Sequence, residues 1–243
     1  MNKIKVFAFP YAFGGSNIYQ ELGKQLDRSI QMKPLDYAGH GARMFEGFSN
    51  SIQEMAQDAY ARISNELNDD YCLLGYSMGG YVCYELYQII KKNNKRLPLH
   101  MFMFASKAPD FKKEDENGEC MSLEQVRNKL REINGTPEEI LNNDELIEMI
   151  APVIRSDISN ISNYIPTNYT IGKIDCQTTV IRGLKERDEN CHAEWSKYFN
   201  NDFEYLTVNG GHFFMFENDF KRTTEFAEII NERVRKYIYS KKR

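Results

Sequence analysis

The chain has 243 residues, of which 42% are hydrophobic and 27% are charged, and this size suits a single domain with one substantial core. Its 31 Lys and Arg residues against 35 Asp and Glu residues give a formal net charge of −4, which disfavours nucleic acid as a partner. No apolar stretch approaches the roughly 20 residues of a membrane-spanning helix, so we expect no membrane partner either.

Six short runs rich in aromatic and β-branched residues predict strands. They are Ile4 to Phe9, Ile30 to Asp36, Tyr71 to Tyr76, His100 to Ser106, Thr178 to Gly183 and Phe203 to Val208. Helical spacing of apolar residues predicts helices at Ser51 to Leu67, Met78 to Asn93 and Glu217 to Tyr239. Because strands and helices alternate, the sequence predicts an α/β fold with a mostly parallel central sheet flanked by helices.

The alternation stops between Pro109 and Thr170, where the segments have helical spacing and no strand is indicated. We interpret this stretch, approximately 109–170, as a helical insertion within one domain that spans 1–243. Its apolar faces could cover the sheet or the mouth of an active site, although ordinary helix packing would produce the same pattern.

The cysteines give no sign of a disulfide framework or a metal site. They are odd in number, widely separated and free of any C-x-x-C pair, which favours a reduced, cytoplasmic setting without a structural metal. The five are Cys72, Cys83, Cys120, Cys176 and Cys191.

The segment from Gly75 to Gly79 reads G-x-S-x-G and lies between a predicted strand and a predicted helix. This context predicts a nucleophile elbow, a strained turn in which glycines avoid collisions and hold the central Ser77 above the sheet. The backbone N–H of Met78, at the start of the helix, would then face the oxyanion formed when Ser77 attacks a carbonyl.

A serine hydroxyl needs a histidine base at neutral pH, and the chain has four histidines. His212 follows the last predicted strand in a glycine-containing loop, so we predict it to be the base. His40 and His100 are better explained as loop or structural residues, and His192 as a surface residue of the following helix.

A carboxylate should orient the imidazole, and the loop after the fifth strand contains Glu186, Asp188 and Glu189. We predict Asp188, because aspartate is the commoner side chain in this role and an apolar residue, Cys191, follows it. Glu186 remains the alternative, since it is the third residue after Gly183 and so suits the usual turn length. The chain order serine, acid, histidine is that of the α/β-hydrolase fold.

The loop after the first strand contains small residues where a second oxyanion donor normally originates. We predict the backbone N–H of Ala12 as that donor. A glycine turn that caps the following helix would explain the same residues and does not exclude this role.

Over nearly its full length, the chain resembles the type II thioesterases that accompany nonribosomal peptide and polyketide synthases. Five segments carry the resemblance: Pro10 to Gly15, Gly39 to Arg43, Gly75 to Gly80, Gly135 to Glu139 and Pro152 to Asp157. They are similar to the family's P-Y-A-G-G, G-H/R-G-x-R, G-H/Y-S-M-G-G, G-T-P-x-E and P-x-x-R-A-D motifs. Phe13 departs from the pattern, because it stands where the family has its first glycine, and Ala38 replaces the proline usual before Gly39.

The resemblance implies an α/β-hydrolase with a helical lid over a channel for an acyl-phosphopantetheine arm. Its implied partner is an acyl or peptidyl carrier protein, and its implied role is removal of stalled or wrong acyl groups, with no cofactor beyond the carrier's own arm. Three alternatives stay open: a medium-chain fatty-acyl-carrier thioesterase, a non-catalytic carrier-binding module and an esterase of small oxygen esters.

Overall fold

A computed structural model of the protein describes residues 3–109, 118–133, 136–167, 173–186, 193–200, 203–217 and 222–240. Its centre is a six-stranded sheet in which neighbouring strands pair in parallel in the order β2-β1-β3-β4-β5-β6. The strands are β1 Ile4–Phe9, β2 Ile30–Pro34, β3 Tyr71–Tyr76, β4 His100–Phe104, β5 Gln177–Gly183 and β6 Glu204–Val208. The predicted parallel sheet is confirmed, and its strand order is that of an α/β-hydrolase.

Helices cover both faces of this sheet. They are α1 Gln20–Lys24, α2 Ile52–Ile63, α3 Met78–Lys92 and α7 Thr223–Ser240. Successive side chains of β1 point to opposite faces, so Phe7 packs in the core beneath α2 and α3 while Val6 packs in the core beneath α1 and α7. Every residue of β3 is buried because it lies in the middle of the sheet, and this strand leads directly to Ser77.

Besides a 3₁₀-helix at Gly118–Cys120, the described residues of the insertion between β4 and β5 form three α-helices: α4 Leu123–Ile133, α5 Glu138–Leu141 and α6 Asp144–Ser162. These helices share an apolar cluster of their own, formed by Val126, Leu130, Leu141, Ile147, Ala151, Ile154 and Ile158. Phe13, in the loop after β1, packs against both this cluster and the main core. The insertion therefore meets the rest of the domain at the loop that follows β1.

The chain that leaves α6 is fixed to α3 by a buried carboxylate. Glu85 of α3 accepts hydrogen bonds from Tyr164 Oη at 2.8 Å and from the Thr167 N–H at 2.9 Å. The C-terminal end of the insertion is thus attached to the helix that begins at the predicted nucleophile.

Among the predicted boundaries that differ from the structure, two involve carboxylates. β2 ends at Pro34 rather than Asp36, and the Asp36 carboxylate instead accepts hydrogen bonds from Ser16 Oγ at 3.0 Å and from the Ala42 N–H at 3.1 Å. The last helix begins at Thr223 rather than Glu217, whose carboxylate accepts a hydrogen bond from the Gly211 N–H at 2.9 Å. In both cases a carboxylate forms loop contacts that sequence periodicity does not reveal.

The cysteines differ in their surroundings. Cys72 and Cys83 are buried, Cys176 is half-buried and Cys120 is exposed, while Cys191 lies outside the described residues. No helix in the described parts of the chain combines the length and the apolar character needed to cross a bilayer.

His100 is a structural residue, as expected. It is buried at the start of β4, and its Nε2 lies 2.8 Å from Thr179 Oγ1. Since the Thr179 hydroxyl donates to Glu204 Oε2, His100 Nε2 carries the proton and donates to Thr179. Burial lowers the pKa of His100 to about 3, against the opposing charge of Glu204, so the imidazole is neutral in the folded protein.

Replacing His100 should reduce the loss of stability at mildly acidic pH. The unfolded chain binds a proton on His100 below its ordinary pKa of about 6.5, whereas the folded chain does not until about pH 3. The free energy of unfolding should therefore decrease by about 2 kcal/mol more in wild type than in His100→Gln between pH 7 and pH 5. Urea unfolding at both pH values measures this difference. An equal change in the free energy of unfolding for the two proteins would contradict the prediction.

Candidate active site

Ser77 lies on a strained turn between β3 and α3. Its backbone has φ 53° and ψ −114°, outside the regions that an L-residue normally adopts. Hydrogen bonds fix this conformation: the Ser77 N–H donates to the Phe104 carbonyl at 2.8 Å, and the Ser77 carbonyl accepts from Ser106 Oγ at 2.9 Å. The turn is a nucleophile elbow in its backbone geometry.

Close packing at the elbow explains its glycines. A Cβ on Gly79 would lie 2.1 Å from the Phe9 carbonyl oxygen, and a Cβ on Gly75 would lie 2.3 Å from the Gly79 oxygen. Either contact is far shorter than atoms allow. Glycine at position 79 therefore lets the start of α3 approach the end of β1, and glycine at position 75 lets it approach the end of β3.

His212 stands beside Ser77, where the sequence placed it. Its Nε2 lies 2.9 Å from Ser77 Oγ, within hydrogen-bond distance, so a neutral imidazole protonated on Nδ1 can accept the hydroxyl proton. The backbone of His212 is held by Tyr76, whose hydroxyl donates to the His212 carbonyl at 2.6 Å. The side chain of Tyr76 thus fixes the loop that carries the histidine.

A carboxylate faces the other nitrogen of this imidazole. Glu186 Oε2 lies 3.6 Å from His212 Nδ1, and the glutamate side chain is only 7% exposed. Its second oxygen accepts a hydrogen bond from the Gly183 N–H at 2.9 Å, which keeps the carboxylate at the end of β5. Asp188, predicted as the acid, lies outside the described residues, as do Glu189 and His192.

The loop after β1 forms a tight turn next to the elbow. The Gly14 N–H donates to the Tyr11 carbonyl at 3.0 Å, so Ala12 and Phe13 occupy the two central positions. Phe13 has φ 69°, which costs a non-glycine residue about 1 to 2 kcal/mol. The Phe13 N–H donates to Asp157 Oδ2 at 2.7 Å. Ala12 is nearly buried in this turn, and Met78 begins α3 directly after Ser77.

His40 contacts an aspartate of the insertion. His40 Nε2 lies 2.9 Å from Asp157 Oδ2, and its Nδ1 lies 3.0 Å from the Ala38 carbonyl oxygen. Burial lowers the pKa of His40, but the hydrogen bond and charge of Asp157, with smaller effects of Ala38 and Asp36, leave this pKa raised overall. The structure therefore places His40 in a buried ion pair, consistent with the expected structural role.

The sequence did not predict a role for Asp157. The residue appears there only as the last position of the segment similar to the P-x-x-R-A-D motif. The helical spacing held a usable signal, because Asp157 follows Ile154 by three residues and so lies on the buried face of α6. An acidic residue on an otherwise apolar helix face needs a buried partner.

The arrangement of serine, imidazole and carboxylate can perform acyl transfer through a covalent intermediate. His212 can remove the proton of Ser77, and a carboxylate behind His212 can stabilise the imidazolium that results. In the described ranges, no group of three or more His, Cys, Asp or Glu side chains is placed to hold a metal ion.

Comparison with known proteins agrees with this chemistry. The chain is 25% identical over 221 residues to the gramicidin S biosynthesis protein GrsT of Aneurinibacillus migulanus, covering 90% of this chain and 86% of that protein. It is 23% identical over 218 residues to the medium-chain S-acyl fatty acid synthase thioesterase of Rattus norvegicus, covering 88% and 82% of the two chains.

A solved structure shares the whole fold. ClbQ, from the colibactin NRPS/PKS pathway, superimposes with a TM-score of 0.87 at 20% identity and covers 97% of this chain and 98% of its own. The Thioesterase domain family matches residues 4–234, from the first strand to within α7. With this match over most of its length, and with His212 beside Ser77 of a nucleophile elbow, the chain belongs to the thioesterase domain family.

Proposed function

We propose that this thioesterase hydrolyses acyl groups from the phosphopantetheinyl arm of a carrier protein in nonribosomal peptide or polyketide synthesis, removing stalled or wrong acyl groups. The observation that carries the proposal is the 2.9 Å contact between His212 Nε2 and Ser77 Oγ at the elbow of a thioesterase-family chain. The implied setting is the cytoplasm, where the scattered cysteines would stay reduced.

The first half of the reaction transfers the acyl group to Ser77. His212 takes the hydroxyl proton while Ser77 Oγ forms a bond to the thioester carbonyl carbon. The carbon–sulfur bond then breaks, and the phosphopantetheine sulfur leaves as a thiolate. This thiolate takes from His212 the proton that came from Ser77. Because a thiolate leaves more readily than an alkoxide or an amine, this step needs only modest acid assistance.

Two backbone amides stabilise the tetrahedral intermediates. Met78 is the first residue of α3, so its N–H has no acceptor within the helix and is available to the oxyanion. The Ala12 N–H belongs to the turn packed beside the elbow. In the second half of the reaction, His212 removes a proton from water, the hydroxide adds to the acyl-serine carbonyl, and Ser77 leaves with that proton.

Glu186 is the described carboxylate that would orient His212. A 3.6 Å separation suits a carboxylate that stabilises imidazolium and approaches it more closely once substrate is bound. Asp188 remains the prediction from sequence, and the two carboxylates are separable by mutation.

The relatives support a carrier-bound substrate. GrsT is named for gramicidin S biosynthesis, and ClbQ is described as part of an NRPS/PKS pathway. The similarity to the rat medium-chain fatty acid synthase thioesterase supports a second candidate, release of medium-chain acyl groups from a fatty-acyl carrier. The two candidates differ in chain-length preference rather than in mechanism.

Ser77→Ala should abolish the release of acetyl and butyryl groups from a phosphopantetheinyl carrier protein, as followed by intact mass spectrometry. Loss of the nucleophile should lower kcat by roughly 10⁴- to 10⁶-fold. Ser64→Ala is the matched control, because Ser64 is a half-buried residue at the end of α2, and it should retain wild-type turnover.

Turnover by Ser77→Ala equal to wild type would contradict the serine mechanism. Wild-type release of decanoyl groups without release of acetyl or butyryl groups would instead establish the medium-chain candidate. Absence of any Ser77-dependent release from a folded protein would overturn both.

Glu186→Gln should lower kcat by about 10³- to 10⁴-fold, because the amide keeps the size of the side chain but cannot stabilise imidazolium. Asp188→Asn is the matched variant and should retain turnover within a few-fold of wild type. Kinetics with the same acyl-carrier substrate measure both. A large loss in Asp188→Asn with little effect in Glu186→Gln would establish Asp188 as the acid.

A further inference from the structure

One buried carboxylate joins three distant segments of the chain. Asp157, on α6 of the insertion, is fully buried. Its Oδ2 accepts the Phe13 N–H of the loop after β1 at 2.7 Å and lies 2.9 Å from Nε2 of His40, in the loop after β2. The insertion is therefore connected to the turn that contains Ala12 by a direct hydrogen bond.

Burial of this carboxylate and imidazole has a large desolvation cost, so the pair contributes little net stability. Both side chains of the Asp157–His40 pair are almost completely removed from water. Within the described residues, the second oxygen, Asp157 Oδ1, has no hydrogen-bond partner. A buried ion pair that leaves an oxygen unsatisfied is often no more stabilising than apolar packing of the same size. A role in positioning explains the aspartate better than a contribution to stability does.

The turn that Asp157 contacts adopts a conformation that its sequence disfavours. Phe13 is the third residue of the Tyr11–Gly14 turn and has φ 69°, a position at which turns of this kind favour glycine. Two contacts hold it there: the hydrogen bond from its N–H to Asp157, and the packing of its ring between the main core and the cluster of the insertion. Without Asp157, only the packing of the ring would oppose the strain at Phe13, and the loop could adopt a different turn that also moves the Tyr11–Ala12 peptide, which carries the Ala12 N–H.

We propose that Asp157 is a positioning residue that holds the Tyr11–Gly14 turn in the conformation in which the Ala12 N–H faces the oxyanion. His40 balances the charge of this carboxylate and fixes its direction. The oxyanion hole is then complete only while α6 is seated on the domain, so the insertion takes part in catalysis through the backbone of another loop. The inference rests on the proposed function, since it assigns the oxyanion to the Ala12 amide.

The test replaces Asp157 by residues that keep or remove the acceptor. Asp157→Leu removes it while keeping a side chain that branches at Cγ, and should lower kcat for an acyl carrier by about 10- to 100-fold with little change in KM. Asp157→Asn keeps an oxygen that can accept from Phe13 and should retain most of the wild-type kcat. Asp144→Leu is the control on the same helix, because the Asp144 side chain is exposed and pairs with Arg127, and it should leave kcat unchanged.

A second variant separates positioning from folding. Glycine adopts φ 69° without strain, so Phe13→Gly in the Asp157→Leu background should recover at least part of the lost kcat, even though it removes a packed side chain. A purely structural role predicts the opposite, since the double variant lacks two buried contacts. Thermal unfolding of each protein shows whether a lower rate reflects a smaller folded fraction.

The rate at which a serine-reactive phosphonate labels Ser77 gives a readout that needs no carrier substrate. Labelling of wild type without carrier hydrolysis would refute the proposed function and still allow the Asp157 variants to be compared. A folded Asp157→Leu protein with kcat and labelling rate within twofold of wild type would overturn the inference. Should Asp157→Leu not fold, a structure of the wild-type phosphonate adduct decides: the inference requires the Ala12 N–H on the phosphonyl oxygen and the Phe13 N–H on Asp157.

Discussion

The close approach of β1 to the start of α3 is the constraint on which the active site depends. Gly79 packs directly on the Phe9 carbonyl, and no larger residue fits there. This contact brings the loop after β1 beside the turn that carries Ser77. Ser77 and the Ala12 N–H, which is predicted to bind the oxyanion, are therefore neighbours because the backbones of β1 and α3 are in contact. The positions of the nearby side chains follow from that contact.

Two non-glycine residues with positive φ stand on either side of this contact, and each is held by a distant partner. The Ser77 N–H is bound by the carbonyl of Phe104 at the end of β4, and the Phe13 N–H is bound by Asp157 of α6. Strained backbone persists only where surrounding structure determines it strongly. Here the sheet determines the conformation at the nucleophile, whereas the insertion determines the conformation at the neighbouring turn.

Local patterns were sufficient to predict the parallel sheet and to bring attention to Ser77 and His212, because an elbow and a glycine-containing loop each follow directly from a strand. The role of Asp157 was not predicted, because its contact with Phe13 spans 144 positions along the chain. The choice between Glu186 and Asp188 could not be made from sequence, since counting residues after a strand does not give the direction of a side chain. The start of α7 was missed because Glu217 binds the Gly211 N–H, a contact that helical periodicity does not encode.

The hydrogen bond from the Tyr76 hydroxyl to the His212 carbonyl has a consequence for how such an enzyme can diversify. Tyr76 is the residue immediately before the nucleophile, so the loop that carries the histidine is fastened to the same strand end as the serine. The two reacting groups form a compact module whose internal spacing does not depend on the insertion. Substitutions in α4 to α6 can therefore accumulate without changing the distance between Ser77 and His212.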